Sequence, residues 1–122
     1  ALLGVSYSPN TKEHRGSAVG RLVKALTDKG ALVRVFDPLY SYKELKDLGY
    51  PAERTLSKAV EGTDCIVIVV GHNRFKRLNL KKMKMLMTKS ASIVDMGHVI
   101  EPERAEKAGF VYRGIGRGVW TK

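Results

Sequence analysis

Apolar runs alternate with amphipathic stretches along this chain, and glycine, proline or asparagine stands at most of the junctions. Residues 2–5, Leu-Leu-Gly-Val, form an apolar run that stops at a polar loop, as a buried strand of a parallel sheet does. Pro9 has no N–H for a ladder and ends the run, while Asn10 and Thr11 supply turn chemistry. From 17 to 29 the period changes. Val19, Leu22, Val23 and Leu26 recur on one helical face, Lys29 suits the last turn, and Gly30 suits the left-handed position beyond it. Residues 31–36 then read as a second strand, closed by Asp37-Pro38.

The same alternation continues. Tyr42, Leu45 and Leu48 mark a short helix within 40–50, and Thr55 is placed to cap another that runs to residue 61. Residues 65–70, Cys-Ile-Val-Ile-Val-Val, are apolar without interruption, which predicts a strand buried on both faces. Gly71-His72-Asn73 follows as a loop. Residues 80–87 predict a helix with Leu80, Met83 and Met87 inward, and 91–94 a fourth strand that ends at Asp95. Pro102 opens a helix at its favoured first position, and 110–112 form a fifth strand. Residues 114–118, Gly-Ile-Gly-Arg-Gly, read as an irregular tail.

Strands alternating with helices at these intervals predict an α/β fold. The expectation is a Rossmann-like three-layer sandwich around a parallel sheet of about five strands, in the order 3-2-1-4-5. Ligands bind beyond the carboxyl ends of the strands in such sheets. That rule gathers the loop tips 7–15, 37–40, 71–75, 95–100 and 113–117 on one edge.

Composition narrows the partners. A chain of 122 residues fits one domain, here read as a piece of a longer protein because it begins inside a strand. Twenty-two Lys and Arg against 12 Asp and Glu give a formal charge of +10, which favours anionic partners. No apolar run approaches the ~20 residues of a membrane span, so no membrane partner is expected. The single cysteine, Cys65, cannot pair within the chain, which fits a cytoplasmic location.

The residues that could carry chemistry suggest a binder. The first loop lacks G-x-G-x-x-G, and no Walker loop occurs. Gly114, Gly116 and Gly118 precede no helix and make a weak phosphate loop. Arg15, at the crevice rim, can take a phosphate or carboxylate in bidentate fashion, or can pair with Glu13. Arg117 stands between glycines where backbone can approach a ligand. Asp37 is placed like a ribose-binding acid, but without the glycines before it a turn role ahead of Pro38 fits better. His14, His72 and His98 show no ligand spacing, so no metal site is expected. Cys65 reads as an inert core thiol. Lys76, Arg77, Lys81, Lys82, Lys84 and Lys89 make a basic face that reads as solvated, with no aromatic platform for nucleic acid. No nucleophile–base pair or carboxylate pair can be assigned, so no residue is expected to be catalytic and the chain alone is expected to be inactive.

Taken together the motifs resemble one family. Tyr7-Ser-Pro-Asn-Thr-Lys-Glu-His-Arg-Gly-Ser17 resembles the aromatic-Lys-x-x-Thr-x-Asp-x-Arg-x-Ser loop that opens the C-terminal, UDP-binding domain of UDP-glucose/GDP-mannose dehydrogenases. Val35-Phe-Asp-Pro38, Val70-Gly-His-Asn-Arg-Phe75, Ile93-Val-Asp95 and Gly109-Phe-Val-Tyr-Arg-Gly-Ile-Gly-Arg117 follow in the family's order, and the likeness covers the whole chain. The closing segment is most similar to UDP-N-acetylmannosamine dehydrogenases. This chain departs from the pattern at Ser8, where the family has Lys, at Glu13 in place of Asp, and at Asp95-Met-Gly-His98, which lacks the usual Arg-Asn.

The resemblance implies a nucleotide-sugar-binding domain of an NAD-dependent enzyme that oxidises a sugar C6 alcohol to a carboxylate. It implies Tyr7, Ser8, Asn10, Thr11 and Arg117 as contacts to the UDP-sugar and Arg15 as a contact to NAD. NAD itself, the catalytic cysteine and the catalytic lysine would belong to N-terminal and central regions of the same polypeptide, and Cys65 does not match that cysteine. The resemblance also implies that the full-length protein is a homodimer. The alternative is a free-standing basic Rossmann-like module that binds RNA or a protein.

Overall fold

The apolar runs assemble into one sheet, and the amphipathic stretches cover it. The computed structural model describes residues 1–115 together with the backbone of 118–119. Its strands are β1 (Leu2–Leu3), β2 (Val35–Phe36), β3 (Cys65–Ile68), β4 (Ser92–Asp95), β5 (Val111–Gly114) and β6 (Gly118–Val119), in the spatial order β2-β1-β3-β4-β5-β6. β1 to β5 are mutually parallel and β6 runs antiparallel to β5.

The expected α/β sandwich is therefore present, but the order of its strands is corrected. β3 lies beside β1, with Leu2 opposite Val67 and Leu3 opposite Ile68, and β2 is at the edge. The physical reason is burial. The longest apolar run gains neighbours on both sides in a central place. Only one of its faces is fully covered: Ile66 and Ile68 are buried, while Cys65 and Val67 are half-buried where burial on both faces was expected. The reversal of strand order thus falls between β1 and β3. The tail is corrected too. Gly114 pairs with Gly118 and Arg113 with Val119, so the last strand extends the sheet where an irregular segment was expected.

Side-chain alternation along the strands divides the core in two. On one face Leu2, Val5 and Val35 pack with Val19 of α1 (Val19–Asp28) and Leu45 of α2 (Tyr42–Asp47). On the other Leu3, Ile66, Ile68 and Ile93 pack with α3 (Leu56–Val60), α4 (Leu80–Leu86) and α5 (Pro102–Lys107) through Val60, Leu80, Met83 and Ala105. The short helices start where their caps direct. Ser41 and Glu44 close a capping box on α2, Thr55 Oγ1 accepts from Lys58 N, Asn79 Oδ1 accepts from Lys82 N, and Pro102 sits in the first turn of α5. Gly30 takes the expected left-handed conformation after α1.

Three strands, β1, β2 and β3, are shorter than their apolar runs, and β3 stops at Ile68, two residues before its run ends. β1 ends at Gly4, whose φ of +100° leaves the extended region while its N–H still donates to Phe36 O. β2 begins at Val35, and Leu32 before it is 96% exposed. Residues 50–53 shield the outer edge of β2: Val35 N donates to Pro51 O, and Glu53 N to Val35 O. No helix among the described residues is long and apolar enough to cross a membrane.

Candidate functional site

A carboxylate at the end of an apolar strand must find donors or cost several kcal/mol. Asp37 ends β2 with 0% exposure, and it finds three. Oδ2 accepts from Val5 N at 2.7 Å and lies 2.9 Å from His72 Nε2, and Oδ1 accepts from Leu39 N at 2.7 Å. The Leu39 bond is the turn role expected of Asp37. The other two join the ends of β1 and β3 to β2.

His72, also buried, continues the chain of bonds. Its Nδ1 accepts from Asn10 N at 2.8 Å, so the proton must sit on Nε2, facing Asp37. Asn10 holds the left-handed conformation, with φ of 60°, and its Oδ1 accepts from Asn73 N at 2.8 Å. Thus Asp37, His72 and Asn10 tie the first loop down over the β1/β3 reversal. The sequence places His72 in a loop and in the Val70–Phe75 motif, with no metal partner, but does not point to its bond with Asp37. The missed signal was its place directly after the most apolar strand, where a buried ring needs a polar partner on each nitrogen.

The loop itself is closed. Tyr7 N donates to Glu13 O at 2.6 Å, and the Tyr7 ring lies where it would stand 3.2 Å from a Cβ placed on Gly16. Tyr7 is 69% exposed, Ser8 is half-buried, and Thr11 is exposed with Oγ1 donating to Pro9 O at 3.3 Å. Tyr7, Ser8, Asn10 and Thr11 therefore share one loop at the carboxyl edge of the sheet. Arg15 lies on it too, with its side chain 82% exposed, and makes two 2.9 Å bonds to Glu13, from Nε to Oε1 and from Nη2 to Oε2. That clamp holds the Glu13 carboxyl down to about 2 and raises the Arg15 guanidinium. Lys12 pairs with Glu44 at 2.5 Å and sits 5.2 Å above the Tyr40 ring. Both cations of the loop thus already have carboxylate partners. Arg117 lies outside the described residues.

Below the loop, Ser6 Oγ and Tyr40 OH are buried without a well-formed hydrogen bond. Burial pushes the Tyr40 phenol up, an effect that the Ser6 hydroxyl partly offsets.

The far side of the edge uses the same device. Asp95, at the end of β4 and 0% exposed, accepts from Val99 N at 3.2 Å, Ile100 N at 2.8 Å and Tyr112 OH at 2.9 Å. The loops after β3 and β4 touch through backbone: a Cβ on Gly97 would meet Gly71 N at 2.6 Å and Gly71 Cα at 2.7 Å. The segment after His72, expected as plain loop, contains a 3-10 turn (Asn73–Arg77) with Phe75 buried. Cys65 is half-buried, more open than expected, because β3 begins at the sheet's opposite end. Among the described residues no three His, Cys, Asp or Glu side chains group closely enough to hold a metal ion.

The chain matches the UDP-glucose/GDP-mannose dehydrogenase family, UDP binding domain, over residues 1–102. It is 30% identical over 122 residues to a UDP-N-acetyl-D-mannosamine dehydrogenase of Methanococcus maripaludis, covering 98% of this chain and 27% of that protein. It is 33% identical over 119 residues to a UDP-glucose 6-dehydrogenase of Rhizobium meliloti, covering 96% of this chain and 27% of the relative. Among solved structures, a UDP-D-ManNAc dehydrogenase from Pyrococcus horikoshii superposes with a TM-score of 0.75 at 30% identity, covering 96% of this chain and 25% of that one. The chain thus spans about a quarter of the length of these relatives. With the motifs at the ends of β1, β2, β3 and β4 arrayed in order on the carboxyl edge of this sheet, the chain belongs to the UDP-glucose/GDP-mannose dehydrogenase family, where it corresponds to the UDP binding domain.

Proposed function

We infer that this chain is the C-terminal, nucleotide-sugar-binding part of a longer NAD-dependent dehydrogenase that oxidises a UDP-sugar at C6 from alcohol to carboxylate. The observation that carries this reading is the Asp37–His72–Asn10 chain of bonds. It holds a ligand-facing loop rigidly at the point where strand order reverses, and rigid placement keeps the ordering cost of binding low. Tyr7, Ser8, Asn10 and Thr11 would contact the UDP-sugar, and the buried hydroxyls of Ser6 and Tyr40 offer further polar partners beneath them.

The first loop does not fit a dinucleotide pyrophosphate. The Tyr7 ring is packed against Gly16, and no G-x-G-x-x-G precedes α1. NAD, which supplies the oxidising capacity, would therefore be held mainly by N-terminal and central regions of the same polypeptide. Arg15, exposed on the rim, is the candidate contact across the cleft. To make it, the guanidinium must exchange one or both Glu13 bonds for the new partner. The family match lends no support to a free-standing RNA- or protein-binding module.

Calorimetric titration of UDP and UDP-sugars into the full polypeptide tests the reading. Saturable binding is expected, weakened by Asn10→Ala. No binding by a protein whose circular dichroism is native would defeat it. Arg15→Ala is expected to raise the KM for NAD, and an unchanged NAD dependence would remove Arg15 from the cofactor contact.

A further inference from the structure

The unpaired positive charge near the ligand-binding edge lies in a different place from the first loop. A cavity of about 670 Å³ opens between the end of β2, the start of α3, the 3-10 turn and the start of α4. Arg54, Arg74, Arg77 and Lys82 line it, all on exposed residues. Among the described residues none of these four makes an ion pair, whereas Lys12, Arg15, Lys24, Lys43 and Lys58 each do. The carboxylate in the wall, Asp37, is fully buried and committed to Val5, Leu39 and His72.

The wall is also held in place. Arg104 of α5 donates to the Lys76 carbonyl at 3.4 Å and to the Leu78 carbonyl, which fixes the segment carrying Arg74 and Arg77. Phe75 beneath them is buried against the core. Arg54 is stacked, with Cζ 4.1 Å from the centre of the Tyr42 ring. Stacking keeps the charge but limits its motion. Four like charges held around one cavity without counter-charge repel one another, and a multiply charged anion relieves that repulsion.

We propose that this cavity, which shares Tyr40 with the floor of the first loop but is lined by none of residues 7–15, is an anion site that takes a small molecule carrying a di- or triphosphate. The volume falls within the range of small-molecule pockets, roughly 300–1,000 Å³. Arginine forks give bidentate contacts to phosphate oxygens. Phe36, Leu56, Met83 and Leu86 contribute apolar wall for whatever the phosphates are attached to. The site does not depend on the first loop binding a UDP-sugar.

The test uses the full polypeptide and inorganic pyrophosphate as probe, followed by calorimetry and by hydrogen exchange read by mass spectrometry. Pyrophosphate is expected to bind with an affinity that falls as salt is raised. It should slow exchange in peptides spanning 54–58 and 73–82 and leave 7–15 unchanged. Arg74→Gln with Arg77→Gln should weaken it about tenfold or more, while UDP binding stays as it was. Lys24→Gln with Lys29→Gln, an equal charge change on α1 and the residue that follows it, should leave pyrophosphate affinity within about twofold. Repeating the titration with a nucleoside triphosphate tells whether the attached group adds affinity. Protection confined to 7–15, displacement of pyrophosphate by UDP, equal loss in the α1 variant, or preference for an RNA oligonucleotide over pyrophosphate would each overturn the assignment.

Discussion

Replacing Asp37 by alanine removes the acceptor on which three donors converge. Of these, Val5 N–H and His72 Nε2–H are buried, and Leu39 N–H is part-buried and can turn to water. Each donor left buried and unpaired costs about 1–3 kcal/mol. Two of them give roughly 2–6 kcal/mol, and because the acceptor is an ionised carboxylate its hydrogen bonds lie above the low end of that range. We therefore expect Asp37→Ala to cost about 3–5 kcal/mol, a large share of the ~5–15 kcal/mol that a domain possesses. For a domain this size that is on the order of 10–20 °C in Tm. Urea unfolding followed by circular dichroism measures it, and hydrogen exchange at Val5 should accelerate in parallel. In a His72→Ala background one of the two orphaned donors is already gone, so the same substitution should cost about 1–3 kcal/mol less. A loss below about 1 kcal/mol with an unchanged m-value, or full additivity with His72→Ala, would show that these bonds are not what holds the strand ends together.

Gly97→Ala places a methyl 2.6 Å from the Gly71 backbone nitrogen, and because backbone cannot rotate away the β3 and β4 loops must part; we expect about 1–3 kcal/mol lost in thermal unfolding. Tyr112→Phe removes one of three donors from the buried Asp95 carboxylate and should cost about 1.5–3 kcal/mol by urea titration. Because Arg15 depresses the Glu13 carboxyl from 4.5 to about 2, the clamp's contribution to stability is complete above pH 4.5 and is lost as pH falls towards 2. The pair is exposed, so the direct readout is an NMR titration of the Glu13 carboxyl, which should return to the ordinary glutamate range in Arg15→Gln. Asn10→Gly keeps the left-handed backbone open while removing the bond to Asn73 N, so it should loosen residues 7–15 in hydrogen exchange and leave global stability within about 1 kcal/mol.

Local pattern alone determined the class of this fold. The helical period of Val19, Leu22, Val23 and Leu26, the unbroken apolar run from Cys65, the cap at Thr55 and the proline at 102 each act over a few residues, and each reappears in the structure at or near its expected place. The first loop was legible for the same reason, because a polar stretch between strand and helix has only one edge of the sheet to occupy. Strand order was not legible. Placing β3 beside β1 depends on competition for the sheet's centre among runs that are all apolar, and only tertiary packing decides that competition. The partners of Asp37 and His72 were hidden likewise, since 35 residues separate them and no local spacing predicts a bond that forms only once two strand ends meet. Counting charges gave a net +10 but not its location. Folding paired Lys12 and Arg15 with nearby carboxylates and left Arg54, Arg74, Arg77 and Lys82 around a shared cavity, because ion pairing is settled by distances in space.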